Sequence, residues 1–183
     1  MSCLTISQSY TRLGILLRVD STFQVRVYCD ADWGACRLTR RSLTGYFVTL
    51  DGSLIPCKTK KQVTISYSSI EDKYRSMAAT TSKLIWLRAL LGSVGVFYVA
   101  LCAYVVIVKF LFTSPRIQCS LNETKHIEID CEFVREKLES GALALSYLSS
   151  EEQHADILTK ALGKKLFISL RGKLGMIDPH SPP

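Results

Sequence analysis

Acidic side chains stand where elements begin or end. Asp30 and Asp32 close the run FQVRVYCDAD, Glu71 and Asp72 open a later helical stretch, and Asp156 lies in a polar segment near the C-terminus. Carboxylates are hard oxygen donors of the kind magnesium requires. Taken singly, each is also what a strand-end turn or a helix surface ordinarily carries. Cysteine chemistry is not indicated. The seven cysteines (Cys3, Cys29, Cys36, Cys57, Cys102, Cys119, Cys131) form no C-x-x-C pair. His126, His154 and His180 lie near none that could complete a zinc site. Their scatter fits small buried side chains in a reducing compartment.

The elements that must position these acids follow from the pattern. Residues 1–12 are polar and read as a frayed tail. Phe23 to Cys29 alternates apolar and polar residues, as a half-buried strand does. SLTGYFVTL predicts a second strand, with Asp51-Gly52 as a hairpin turn into SLIPCK. Short links favour an antiparallel meander. Thr64 to Tyr67 is too short to assign. Ser68 and Ser69 then offer an N-cap, and Glu71 and Asp72 fall in the first turn. Tyr74, Met77, Ala78, Thr81, Ile85 and Leu91 step along one face of a helix ending near Leu91. A second helix carries Ile127, Cys131, Val134 and Leu138 and stops at Gly141. Ala142 to Leu148 alternates as a strand, and two short helices over 152–162 and 164–174 follow. Trp33 and Trp86 read most simply as core residues.

With 183 residues, 48% hydrophobic and 21% charged, the chain has the composition of one globular domain and not of a disordered tail. Its net charge of +7 favours a polyanionic partner, nucleic acid or an acidic membrane surface. The N-terminus lacks the apolar core of a signal peptide, which agrees with a cytoplasmic or nuclear setting. One stretch stands apart. Ala89 to Val108 is twenty residues without a charge, followed by Lys109 and FLF, the length and character of a membrane span. Insertion of 89–112 in a bilayer is the alternative that hydropathy raises, against a buried strand or helix. The soluble character of both flanks and the interruption of the first helix by Gly92 and Gly95 weigh against a span.

Several motifs, in order, carry a family resemblance from about Thr11 to the C-terminus. They are YCDADW at 28–33, LTRRSLTGYF at 38–47, KTKKQVTIS at 58–66 and SSIEDKYRSMA at 68–78. IWLRALL at 85–91, TKHIEIDCEFVRE at 124–136 and EEQHADILTKAL at 151–162 complete the set. The sequence resembles the ribonuclease H domain of copia-type plant retrotransposon Pol polyproteins, in degenerate form. The resemblance implies an α/β fold, a ribonuclease H-like mixed five-stranded sheet flanked by helices. The domain would span 13–175, with 97–119 divergent and 176–183 a C-terminal tail. In place of a membrane span, the resemblance implies a central strand or short buried helix from Val96 to Val108, with Val105 to Val108 beside residues 25–29.

That family cuts the RNA strand of RNA–DNA hybrids with two divalent ions, usually Mg2+, held by four carboxylates. The resemblance places the first at Asp30 and the last at Asp156, which makes these the catalytic and metal-binding candidates. The second should precede Tyr74-Arg75, where this chain has Lys73. Glu71 is rotated about 200° and Asp72 about 100° from that position on a helix. An ammonium about 5 Å from a divalent ion costs roughly 7 kcal/mol at an effective dielectric near 20. The third should fall near Ile107, yet no acid occurs from Ala89 through Asn122. A reading-frame shift accounts for the divergence of 97–119, since codons for CAYVVIVK can hide a frame reading C-L-C-G-D-S-Q-V. With one ligand replaced by a cation and one missing, the expectation is an inactive remnant that keeps weak affinity for nucleic acid. Arg40, Arg41, Lys58, Lys60 and Lys61 are the candidates to meet hybrid phosphates, though such a run also serves as a solvated face. His154, two residues before Asp156, reads as a bystander. A weakly active nuclease, holding one ion on Asp30, Asp156 and Asp32 or water, is the enzymatic alternative.

Overall fold

The computed structural model of the chain describes residues 14–15, 24–93, 95, 100–106, 125–149, 152–174 and 176–177. Among them, β2 (Gln24–Asp32), β3 (Leu43–Leu50) and β4 (Ser53–Lys61) form the antiparallel meander the alternation predicts. Asp51 and Gly52 both adopt positive φ, 49° and 81°, the geometry that a two-residue hairpin of this twist requires. β5 (Ala100–Val106) and β6 (Ala144–Tyr147) add parallel strands, giving the order β4-β3-β2-β5-β6. A separate two-residue pairing joins β1 (Gly14–Ile15) to β7 (Met176–Ile177).

β5 resolves the conflict over the apolar stretch. Helix α1 (Ser69–Ser93) runs to Ser93, and Ala100–Val106 is then a sheet strand whose Val105 pairs with Tyr28. The strand therefore lies beside residues 24–28, as the resemblance implied; Ile107 and Val108 are outside the described residues. The membrane alternative is not supported: among the described residues no helix is long and apolar enough to cross a bilayer.

Period-two alternation gives each face of β2 its own core. Val25, Val27 and Cys29 pack against Tyr74, Met77 and Leu84 of α1 and against Ile127, Cys131 and Val134 of α2 (Lys125–Glu139). On the opposite face, Phe47 and Leu54 meet Ile157 of α3 (Asp156–Thr159), with Phe167 and Leu170 of α4 (Lys164–Lys173). The C-terminal helix expected over 152–162 is a single turn, since its segment follows the sheet rather than a helical repeat.

Three expectations are corrected. Ile85 is 39% exposed, and Leu84 and Leu87 supply the buried positions instead. Trp33 and Trp86 are surface residues, 53% and 58% exposed, and not core. Cys131 is disulfide-bonded rather than free, whereas Cys29, Cys36 and Cys57 are free. Three polar residues of α1, Ser76, Thr80 and Thr81, are fully buried in the face against the sheet. Thr80 and Thr81 satisfy their hydroxyls on the carbonyls of Ser76 and Met77 one turn back, at 2.6 and 2.8 Å, so burial costs them little.

Candidate functional site

Alternation along β2 puts Asp30 on the face opposite Cys29, under α3. Its partner across the meander is Gly45. A Cβ at Gly45 would lie 2.6 Å from Thr159 Cγ2 and 2.8 Å from Leu158 Cβ. Glycine therefore lets α3 settle directly on the sheet. Two long-range bonds hold it there: Gln153, wholly buried, donates to the Cys29 carbonyl at 3.2 Å, and Thr59 Oγ1 donates to the Leu158 carbonyl at 3.0 Å.

This placement brings Asp30 and Asp156 together. Thr159 Oγ1 donates to Asp30 Oδ2 at 2.7 Å. The Lys160 ammonium lies 2.8 Å from Asp156 Oδ1 and 3.4 Å from Asp30 Oδ2, bridging both carboxylates. Burial raises the Asp156 carboxyl above its ordinary value; Lys160 opposes that rise and Asp30 adds to it. Lys160 is pulled down by its own partial burial, but the hydrogen bond it donates to Asp156 and the charge of Asp30 outweigh it and leave the ammonium above its usual range. Asp32 is raised by burial and by Asp30, with Lys160 opposing.

The start of α1 completes the picture. Ser68 Oγ accepts from the Glu71 amide at 3.2 Å, while the Glu71 carboxylate accepts from the Tyr67 amide at 2.6 Å and pairs with Arg75. That reciprocal cap commits Glu71 to the helix end. Asp72 is fully buried, and neither carboxylate oxygen has a hydrogen-bond partner among the described residues. Burial dominates and, with the charge of Asp30 adding to it, pushes the carboxyl up to about 6 against the lowering effects of the Ser42 hydroxyl and of Lys73. Lys73 is half-buried, and its charge is felt at Asp72 and Cys29. Ser76 Oγ donates to the Asp30 carbonyl at 3.1 Å, tying α1 to the end of β2.

The residues present do not fit a two-ion centre. Two carboxylates converge, a lysine ammonium already bridges them, and no described group of three or more His, Cys, Asp or Glu is arranged to hold a metal ion. The position near Ile107 falls outside the described residues. Of the basic candidates, Lys58, Lys60 and Lys61 lie on edge strand β4, while Arg40 and Arg41 lie on the loop between β2 and β3. His154 packs its ring against Tyr28, with centroids 4.8 Å apart. The sequence argument missed Gln153, Thr159 and Lys160. The Asp156/Lys160 spacing of one helical turn was the available signal.

The layered sheet and its helices define a ribonuclease H-like protein. Similarity to solved structures agrees: a compost-derived LC11-RNase H1 matches with a TM-score of 0.56 at 13% identity, covering 75% of this chain and 94% of that one. The same enzyme in complex with an RNA/DNA hybrid gives 0.52 at 13% identity, over 74% and 93%. No family model matches. In sequence, the chain is 35% identical over 167 residues to the retrovirus-related Pol polyprotein from transposon RE1 of Arabidopsis thaliana, covering 89% of this chain and 11% of that protein. It is 29% identical over 157 residues to the corresponding polyprotein from transposon TNT 1-94 of Nicotiana tabacum, covering 81% and 11%. The chain is thus similar over most of its length to retrovirus-related Pol polyproteins of plant transposons and has a ribonuclease H-like fold, spanning about a tenth of the length of those relatives.

Proposed function

We propose that this chain is a ribonuclease H remnant that has lost cleavage of RNA–DNA hybrids and keeps affinity for nucleic acid, acting in the cytoplasm or nucleus. The observation that carries the reading is the incomplete carboxylate set: among the described residues only Asp30 and Asp156 converge, with the Lys160 ammonium between them. Lys73, in place of the second carboxylate, supports it. Ancestral Mg2+ would have been held by Asp30 and Asp156 with two further acids that this chain lacks. Hybrid as a partner rests on the relatives, one of whose structural counterparts binds it. The test is cleavage of a labelled RNA–DNA hybrid with Mg2+ or Mn2+, beside an active ribonuclease H. No product above background is expected. Cleavage that disappears on Asp30→Asn would overturn the proposal and leave a weakly active nuclease.

A further inference from the structure

On the sheet face away from Asp30, a groove of about 490 Å³ opens between edge strand β4 and helix α1. Its floor is Thr44 and Tyr46 of β3, and the lysines paired with them in register, Lys60 and Lys58, stand over it. Lys83 of α1 closes the far side. None of these three ammonium groups makes an ion pair among the described residues. The one carboxylate in the lining is Asp130. Like charges converging without counter-charge raise the local potential and favour an anionic occupant.

The rim tells which anion. The loop after β4 is pinned from both sides: Arg75 reaches Thr64, Ser66 Oγ and the Ile65 carbonyl from the groove, and Trp33 donates its indole N–H to the Ser66 carbonyl at 2.9 Å. That bond fixes Trp33 while leaving it 53% exposed, and the next residue, Tyr67, is 82% exposed. A basic groove whose adjoining loop holds the exposed Trp33 ring in place, with the exposed Tyr67 beside Ser66, suits phosphates and bases together. An acidic peptide would use the lysines and leave the rings idle. Lys58 and Lys60 also repeat at about 6.8 Å along an extended strand, a spacing that can follow successive charges of a polymer.

We infer that this groove binds a single nucleic-acid strand, its phosphates on Lys58, Lys60 and Lys83 and a base on Trp33. The inference rests on the nucleic-acid reading above but not on catalysis, since the carboxylates face the other side of the sheet. Fluorescence anisotropy of a labelled oligo-dT with the full chain tests it, as a function of salt. Replacing all three lysines by Gln, at exposed positions that do not build the core, should weaken binding at least tenfold. The log–log salt slope should fall by about 2, as expected for three lost contacts to a single strand. Trp33→Ala should cost roughly 5- to 150-fold with the slope unchanged. Lys164→Gln with Lys165→Gln, on the opposite side of the sheet, is the charge control. Equal losses in the triple variant and the control would overturn the groove and leave only diffuse attraction. Competition by poly-glutamate equal to that by oligo-dT, with no effect of Trp33→Ala, would reassign it to an acidic peptide. If the parent chain binds neither oligo-dT nor hybrid, the broader nucleic-acid reading fails with it.

Discussion

Lys160 occupies the position at which a cation is most favoured, between Asp30 and Asp156. Removing it leaves two like charges on a sheet face where Asp30 is almost wholly buried. Breaking a buried pair costs about 3–5 kcal/mol, but the Lys160 side chain is 39% exposed and solvent screens part of that. Lys160→Met should therefore lower Tm by roughly 4–8 °C, equivalent to about 2 kcal/mol in a chain of this size. Mn2+ should restore much of the loss in the variant and leave the parent chain unmoved, because only the variant has a vacancy for a cation. A variant whose melting ignores Mn2+ would show that the two acids cannot hold an ion even when freed. Asp72 permits a different test. Its folded pKa, near 6, exceeds the unfolded value of about 3.9. Between those values the native state holds the extra proton, so stability falls as pH rises from about 4 to 6 and the penalty persists above. Asp72→Asn should raise Tm at pH 7 and leave it almost unchanged at pH 4. A lower Tm at pH 7 would mean that the charge has a stabilising partner.

Elements were legible where periodicity and local chemistry agree. The meander, its Asp51-Gly52 turn and helix α2 follow from alternation, turn preference and a single apolar stripe. Asp30 and Asp156 were located by the resemblance, and no sequence pattern alone would have joined residues 126 positions apart. What escaped was tertiary. A short polar segment does not announce that it will lie as one turn on a sheet, nor that Gln153 will cross to the Cys29 carbonyl. Trp33 looked like core because its bulk says nothing of a hydrogen bond to Ser66 that holds it at the surface. Gly45 shows how much one position decides, since its missing side chain is the space α3 fills. Gly45→Ala should destabilise by about 1–3 kcal/mol through overpacking. Hydrogen exchange should then rise across 153–160 before the meander loosens. Uniform loosening of β2 and β3 instead would place the strain in the sheet.

At the scale of the whole molecule, the ribonuclease H-like sheet is in place although Lys73 stands at one expected ligand position. The sequence of β5 bears on this: an interior strand of a sheet tolerates any run of suitable hydrophobicity and length. A shifted reading frame across 97–119 can thus preserve pairing with β2 while deleting the acid expected near Ile107. On the proposed reading two lesions stand apart, Lys73 on α1 and the missing acid of the divergent segment, and together they predict an asymmetric rescue. Lys73→Glu removes a cation and supplies one ligand, yet the set is still short of the acid that segment should bring. It should restore no hybrid cleavage with Mg2+ or Mn2+. Replacing 97–119 with a segment bearing L-Y-C-D-S-Q, together with Lys73→Glu, should restore cleavage that Asp30→Asn then abolishes. The swapped segment alone should remain inactive, because Lys73 still stands where a ligand is required. Recovery by Lys73→Glu alone would locate the whole defect on α1 and acquit the segment after it. Failure of the double change, with melting like the parent's, would implicate the Lys160 bridge as a third lesion, and adding Lys160→Met to that background would decide the point.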